Sequence, residues 1–124
     1  MMHMDRIINS VTELIYQNEP ALFDRYGEKG KAKCKEDNHH HFKHLHTAYE
    51  LADSQFFIDY AIWLNGILTK HGMETRHLTD NFSIIHEVLD QPELNQEDEI
   101  IAYLSYLEEA VQVLLLNEET KGAI

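Results

Sequence analysis

Four side chains competent to ligate a transition metal, Cys34, Asp37, His41 and His44, recur at three- and four-residue spacing in one stretch, KAKCKEDNHHHFKHLHTAYELA. The stretch spans residues 31–52 and holds the sole cysteine and five of the nine histidines. A helix turns about 100° per residue, so Cys34, Asn38, His41, Leu45, Ala48, Tyr49 and Ala52 fall on one face. His41 therefore points toward the core. Asp37 borders that face one turn earlier, His40 and His44 share its flank, and His39 and His46 lie on the wet side.

Three kinds of chemistry follow from this arrangement, each with a plainer competitor. A mononuclear metal site would use Cys34, Asp37, His41 and His44, with His71 or Glu74 closing it from a second helix. The competing reading makes Cys34 a small buried hydrophobe and has Asp37 accept a hydrogen bond from His41. A haem would need His41 as ligand and an apolar pocket from Phe57, Tyr60 and Trp63, which otherwise read as core. Di-iron bundles use Glu-x-x-His pairs, and Glu36/His39 and Glu74/His77 match that text. Their wheel positions are off the apolar faces, which argues against it. Cys34 has basic neighbours in Lys33 and Lys35, but a buried thiol is a poor nucleophile, and no Ser-His-Asp spacing is present.

The elements that must position these residues are helical. Met4 to Gln17 repeats apolar residues at helical spacing. Pro20 should open a short second helix that stops near Gly27 to Gly30, with the histidine helix from Lys31 to Ala52 following as the third. Ser54 is the expected N-cap of a fourth helix, ended by Gly72 and apolar on so many sides that it should be central. A fifth runs from about Thr75 to Gln91, halted by Pro92. Asn95 should cap a sixth, and the tail from Thr120 to Ile124 is expected to fray. No strand alternation, phosphate loop or internal repeat interrupts this pattern. The sequence thus predicts one all-α domain over residues 1–124, five to six helices in a bundle or globin-like packing.

The run RYGEKGKAKCKEDNHHHFKHL, followed by FFIDYAIWLNGILTKHGMETRHL, resembles a small bacterial all-helical regulatory module found with cobalamin-binding and other sensory proteins. Tyr26, Gly27, Gly30, Cys34, Glu36, Asp37, His41, Leu45, Tyr60, Trp63, Leu64 and Gly72 carry the resemblance, over residues of about 25–80. It implies a regulatory or ligand-sensing domain and not an enzyme. It does not imply bound cobalamin, because these residues include neither an Asp-x-His-x-x-Gly signature nor an α/β pattern.

A formal net charge of -12 argues against nucleic acid or an anionic membrane as partner. No apolar run is long enough to cross a bilayer and no signal-peptide pattern is present, so a cytoplasmic location is expected. Arg25, Lys29, Lys31, Lys33 and Lys35 crowd one stretch, whereas no lysine or arginine lies between Arg76 and Lys121. That asymmetry and the apolar fourth helix predict a homodimer or a protein partner, through Phe56, Trp63 and Ile67 or through Tyr103 and Tyr106. Two functions stand: a non-catalytic sensor or interaction domain binding a small ligand near Asp37, His41, Tyr60 and Trp63, without cofactor, or a metal- or haem-binding protein using Cys34, Asp37, His41 and His44.

Overall fold

The computed structural model describes residues 4–122, with side chains through Glu119. Among these residues it is all-α: α1 (Met4–Asn18), α2 (Ala21–Leu51), α3 (Ser54–Lys70), α4 (Thr75–Leu89) and α5 (Asp98–Gly122). No helix among them is long and apolar enough to cross a membrane.

The second and third expected helices are one element. α2 passes through Gly27, whose φ of 67° and ψ of -159° are non-helical, and then resumes. Glycine adopts positive φ at little steric cost, so one residue absorbs the bend that was expected to need a loop. Gly30, one turn on, serves packing: a Cβ there would lie 2.3 Å from the Cβ of Tyr26.

The helix ends follow from local hydrogen bonds. α2 stops in a 6→1 and 5→2 closure, Asp53 N–H to Ala48 O and Ala52 N–H to Tyr49 O, both 3.0 Å. Ala52 occupies the left-handed position at φ 51° that glycine usually takes. Asp53, not Ser54, caps α3, its carboxylate accepting the Gln55 N–H at 3.0 Å. At the other end Gly72 takes φ 91°, and Met73 N–H closes onto Leu68 O at 3.0 Å. α5 starts two residues later than Asn95 predicts: that side chain donates to Asp90 at 3.0 Å, and the Glu97 carbonyl accepts the first α5 N–H, from Ile101. The helix runs on through Gly122, taking in part of the tail expected to fray; Ala123 and Ile124 lie outside the described residues.

α5 packs on α2, α3 and α4, while α1 packs on α2 and α4. Val11, Leu45, Phe57, Phe82, Ile85 and Leu89 have no exposed surface between them. Truncating such a residue, Phe82 for example, removes about 3–5 kcal/mol of stability. The expectation that the apolar fourth helix is central is corrected. α3 buries Phe57, Ile58, Tyr60 and Ala61 on one side, but Ile62 and Trp63 stay exposed on the other, with Ile67 at the edge, 36% exposed. α2 and α4 meet only through side chains, and the space between them is the cleft described next.

Candidate functional site

The buried end of the α2–α4 gap is polar. Asn38 is fully buried, and its amide N–H groups reach the Cys34 carbonyl at 3.0 Å and Asn81 Oδ1 at 3.2 Å. Asn81 returns a hydrogen bond to Asn38 Oδ1 at 2.7 Å. A buried amide left unpaired costs about 1–3 kcal/mol, so this reciprocal pair tethers α2 to α4.

His41 sits one turn beyond Asn38, 2% exposed. Its Nδ1 shares a 2.7 Å hydrogen bond with the Tyr60 hydroxyl, and its ring meets Phe82 edge to face, centroids 5.2 Å apart. Burial is the main cause that pushes its pKa down to about 3, helped by His40 and His44 and opposed by a hydrogen bond to Asn81. The imidazole is therefore neutral at physiological pH. Tyr60 is pushed well above the usual phenol range, first by burial and then by the charge of Asp37. His44 stacks flat on the outer face of this pair, 3.7 Å from the Tyr60 ring centre, and donates from Nδ1 to the His40 carbonyl.

Beside His41 the gap widens into a cleft of about 810 Å³. Its apolar walls come from Ile15 and Tyr16 of α1, Leu22 and Tyr26 of α2, Leu64 and Leu68 of α3, and Leu78 and Ile84 of α4. Cys34, Asp37, His41 and Asn81 lie along one side. Burial pushes the Cys34 thiol up to about 11, with Asp37 adding to the rise, so it stays protonated and is no nucleophile at neutral pH. The segment from Asn18 to Tyr26 forms part of the wall, pinned by Glu19 to Arg76 at 2.8 Å and by the Tyr26 hydroxyl to the Met73 sulfur at 3.8 Å.

The sequence-based candidates separate. Cys34, Asp37 and His41 line the cleft, whereas His44, Tyr60 and Trp63 do not. Tyr60 acts from behind, holding His41. Trp63 faces outward, 62% exposed. The hydrogen bond expected between Asp37 and His41 is not made, because Asp37 accepts from Lys33 at 2.7 Å and His41 is engaged by Tyr60. Cys34, Asp37, His41 and His44 do not converge on one point. Among the described residues no three His, Cys, Asp or Glu side chains are grouped to hold a metal ion. Phe57, Tyr60 and Trp63 do not enclose a shared haem pocket either: Phe57 packs on Phe82 in the core and Trp63 points away.

The Glu-x-x-His pairs have structural roles. Glu74 and His77 cap α4, with the Glu74 N–H donating to His77 Nδ1 at 2.9 Å. Glu36 and His39 instead face His40 and Asp5, each at 3.8 Å. Sequence reasoning missed Asn81. The signal was Asn38 on the core face of the histidine helix, since a buried amide requires a polar partner from another element. Protein-family models, curated proteins and solved structures give no match to the chain, and the site is read from its own geometry.

Proposed function

We propose that this chain is a non-catalytic, ligand-sensing helical module whose cleft takes a small amphipathic molecule. One observation carries the reading: a cleft of about 810 Å³ with apolar walls, closed on one side by the neutral, nearly buried His41. Ligand sites are typically clefts of about 300–1,000 Å³ with few convergent polar groups. The groups here suit recognition better than catalysis. The thiol is protonated, the imidazole is too weak a base to accept a proton at neutral pH, and both are braced by neighbours. Tyr26, Gly30, Cys34, Asp37, His41 and Leu64, half of the residues that carry the resemblance to a bacterial regulatory module, line this cleft.

The test uses Nile red, a neutral apolar dye that brightens when it leaves water. Its fluorescence should rise with the protein and fall back when the cleft is filled by Leu64→Trp or, at the exposed rim, by Ser83→Trp. No rise, or a rise that both variants retain, would reject the reading. Absorption spectra and elemental analysis of untagged protein examine the metal and haem alternative in the same samples.

Self-association is a second reading, favoured by the exposure of Trp63 (62%) and Ile62 (40%) on α3, whereas Ile67, the third expected contributor there, lines the cleft. Of the alternative pair on α5, Tyr103 is withdrawn, since it is 1% exposed and bonded to Glu99, and Tyr106 is half-buried against the core. Light scattering at micromolar concentration should show a dimer that Trp63→Glu converts to monomer; monomer in the parent protein would reject it.

A further inference from the structure

We propose that the cleft selects lipophilic cations: small molecules with a ring-bearing apolar body and one positive charge. This rests on the reading of the cleft as a small-molecule site and names its ligand class. The deciding feature is the charge left over once the internal ion pairs are counted. The lining includes four carboxylates, Glu19, Asp37, Asp80 and Glu87, and one lysine, Lys33. Lys33 is held by Asp37 at 2.7 Å. Glu19 takes the Arg76 guanidinium at 2.8 Å, a hydrogen bond that holds its carboxyl below the usual range. These two acids are matched. Asp80 has only a 4.0 Å share of the same guanidinium, and Glu87 has no cationic partner among the described residues.

Asp80 and Glu87 stand two turns apart on α4, with Ser83 and Ile84 between them on the same wall. The α4 wall of the cleft therefore carries negative charge that these ion pairs leave uncompensated. The two rim histidines are turned to other partners: His71 donates from Nδ1 to the Ile67 carbonyl at 2.8 Å, and His77 caps α4 and faces Glu19 at 3.5 Å. Clefts lined by one sign of charge concentrate ligands of the opposite sign, and the whole chain, at -12, adds to that field. An anionic amphiphile would have to open the Lys33–Asp37 pair to find a cation. A cationic one finds two carboxylates waiting on the α4 wall.

Two ions of the same shape and opposite charge isolate the sign: tetraphenylphosphonium and tetraphenylborate, with neutral triphenylphosphine oxide as reference. Calorimetric titration should give the phosphonium roughly tenfold tighter binding than the borate at low salt, a margin of about 1.4 kcal/mol that narrows as ionic strength rises. The double variant Asp80→Asn, Glu87→Gln should weaken the phosphonium several-fold and leave the phosphine oxide unchanged. Because both positions are exposed, loss of fold is not expected, and Nile red binding by the variant checks it. Equal or tighter binding of the borate, or a phosphonium affinity untouched by the double variant, would overturn the cation assignment while Nile red binding keeps the cleft itself standing. Failure of Nile red and all three probes would remove both.

Discussion

At the scale of residues, His41 couples the cleft to acid stability. Its folded pKa of about 3 lies below the ordinary value near 6.5, so the unfolded chain takes up a proton that the folded chain refuses. Stability is complete above about pH 6.5 and falls as the pH drops toward 3, by up to about 1.4 kcal/mol per pH unit. Urea midpoints taken between pH 7.5 and about 5 should decline, and His41→Gln should flatten that decline while lowering stability at neutral pH. A parallel decline in the variant would mean that other groups cause it. His46 works in the opposite direction. Hydrogen bonding to Glu99 is the main cause that raises its pKa, so it contributes below about pH 6.5 and is lost as the pH climbs through its raised value. Because His46 is exposed, the effect of His46→Gln should be small and confined to the acidic side. The placement of His41 in the core was legible from helical spacing alone. Its partners were not, since Tyr60 and Asn81 lie 19 and 40 residues away on other helices.

At the scale of elements, two features admit direct tests. Ala52 ends α2 in a left-handed conformation that costs an alanine about 1 kcal/mol and a glycine almost nothing, so Ala52→Gly should raise stability by roughly that amount in denaturant titrations. The Asn38–Asn81 bridge joins two helices that otherwise meet through the His41 and Phe82 rings. Asn38→Ala and Asn81→Ala should each cost about 1–3 kcal/mol, and the double variant should cost less than their sum, with a coupling of about 0.5–3 kcal/mol. Strict additivity would show that the bridge does not hold the cleft's inner end. The helices themselves were readable because apolar spacing and caps are local properties. The fusion at Gly27 was not, because a glycine-rich stretch reads equally as a loop or as one bend within a continuing helix. The shift of caps from Ser54 to Asp53 and from Asn95 to Glu97 has the same origin: several adjacent side chains are competent, and packing chooses among them.

At the scale of the whole molecule, one arrangement explains both the cleft and the exposed aromatic face. α5 occupies one side of the bundle against α2, α3 and α4, which leaves α2 and α4 bridged only by side chains and leaves the outer strip of α3 uncovered. Composition could not reveal this, since the same apolar residues suit a covered helix or an exposed one, and only the packing partners decide. The acidic balance was visible from the start, but its placement on the α4 wall emerges only when Lys33 and Arg76 are matched to Asp37 and Glu19. The most direct measurement of the central claim is an amide chemical-shift map with neutral triphenylphosphine oxide, a probe indifferent to charge. The expected shifts cluster at Ile15, Leu22, Cys34, His41, Leu64 and Ile84 and leave the Ile62 and Trp63 strip unmoved. Shifts confined to that strip, or none at saturating probe, would contradict a ligand site beside His41.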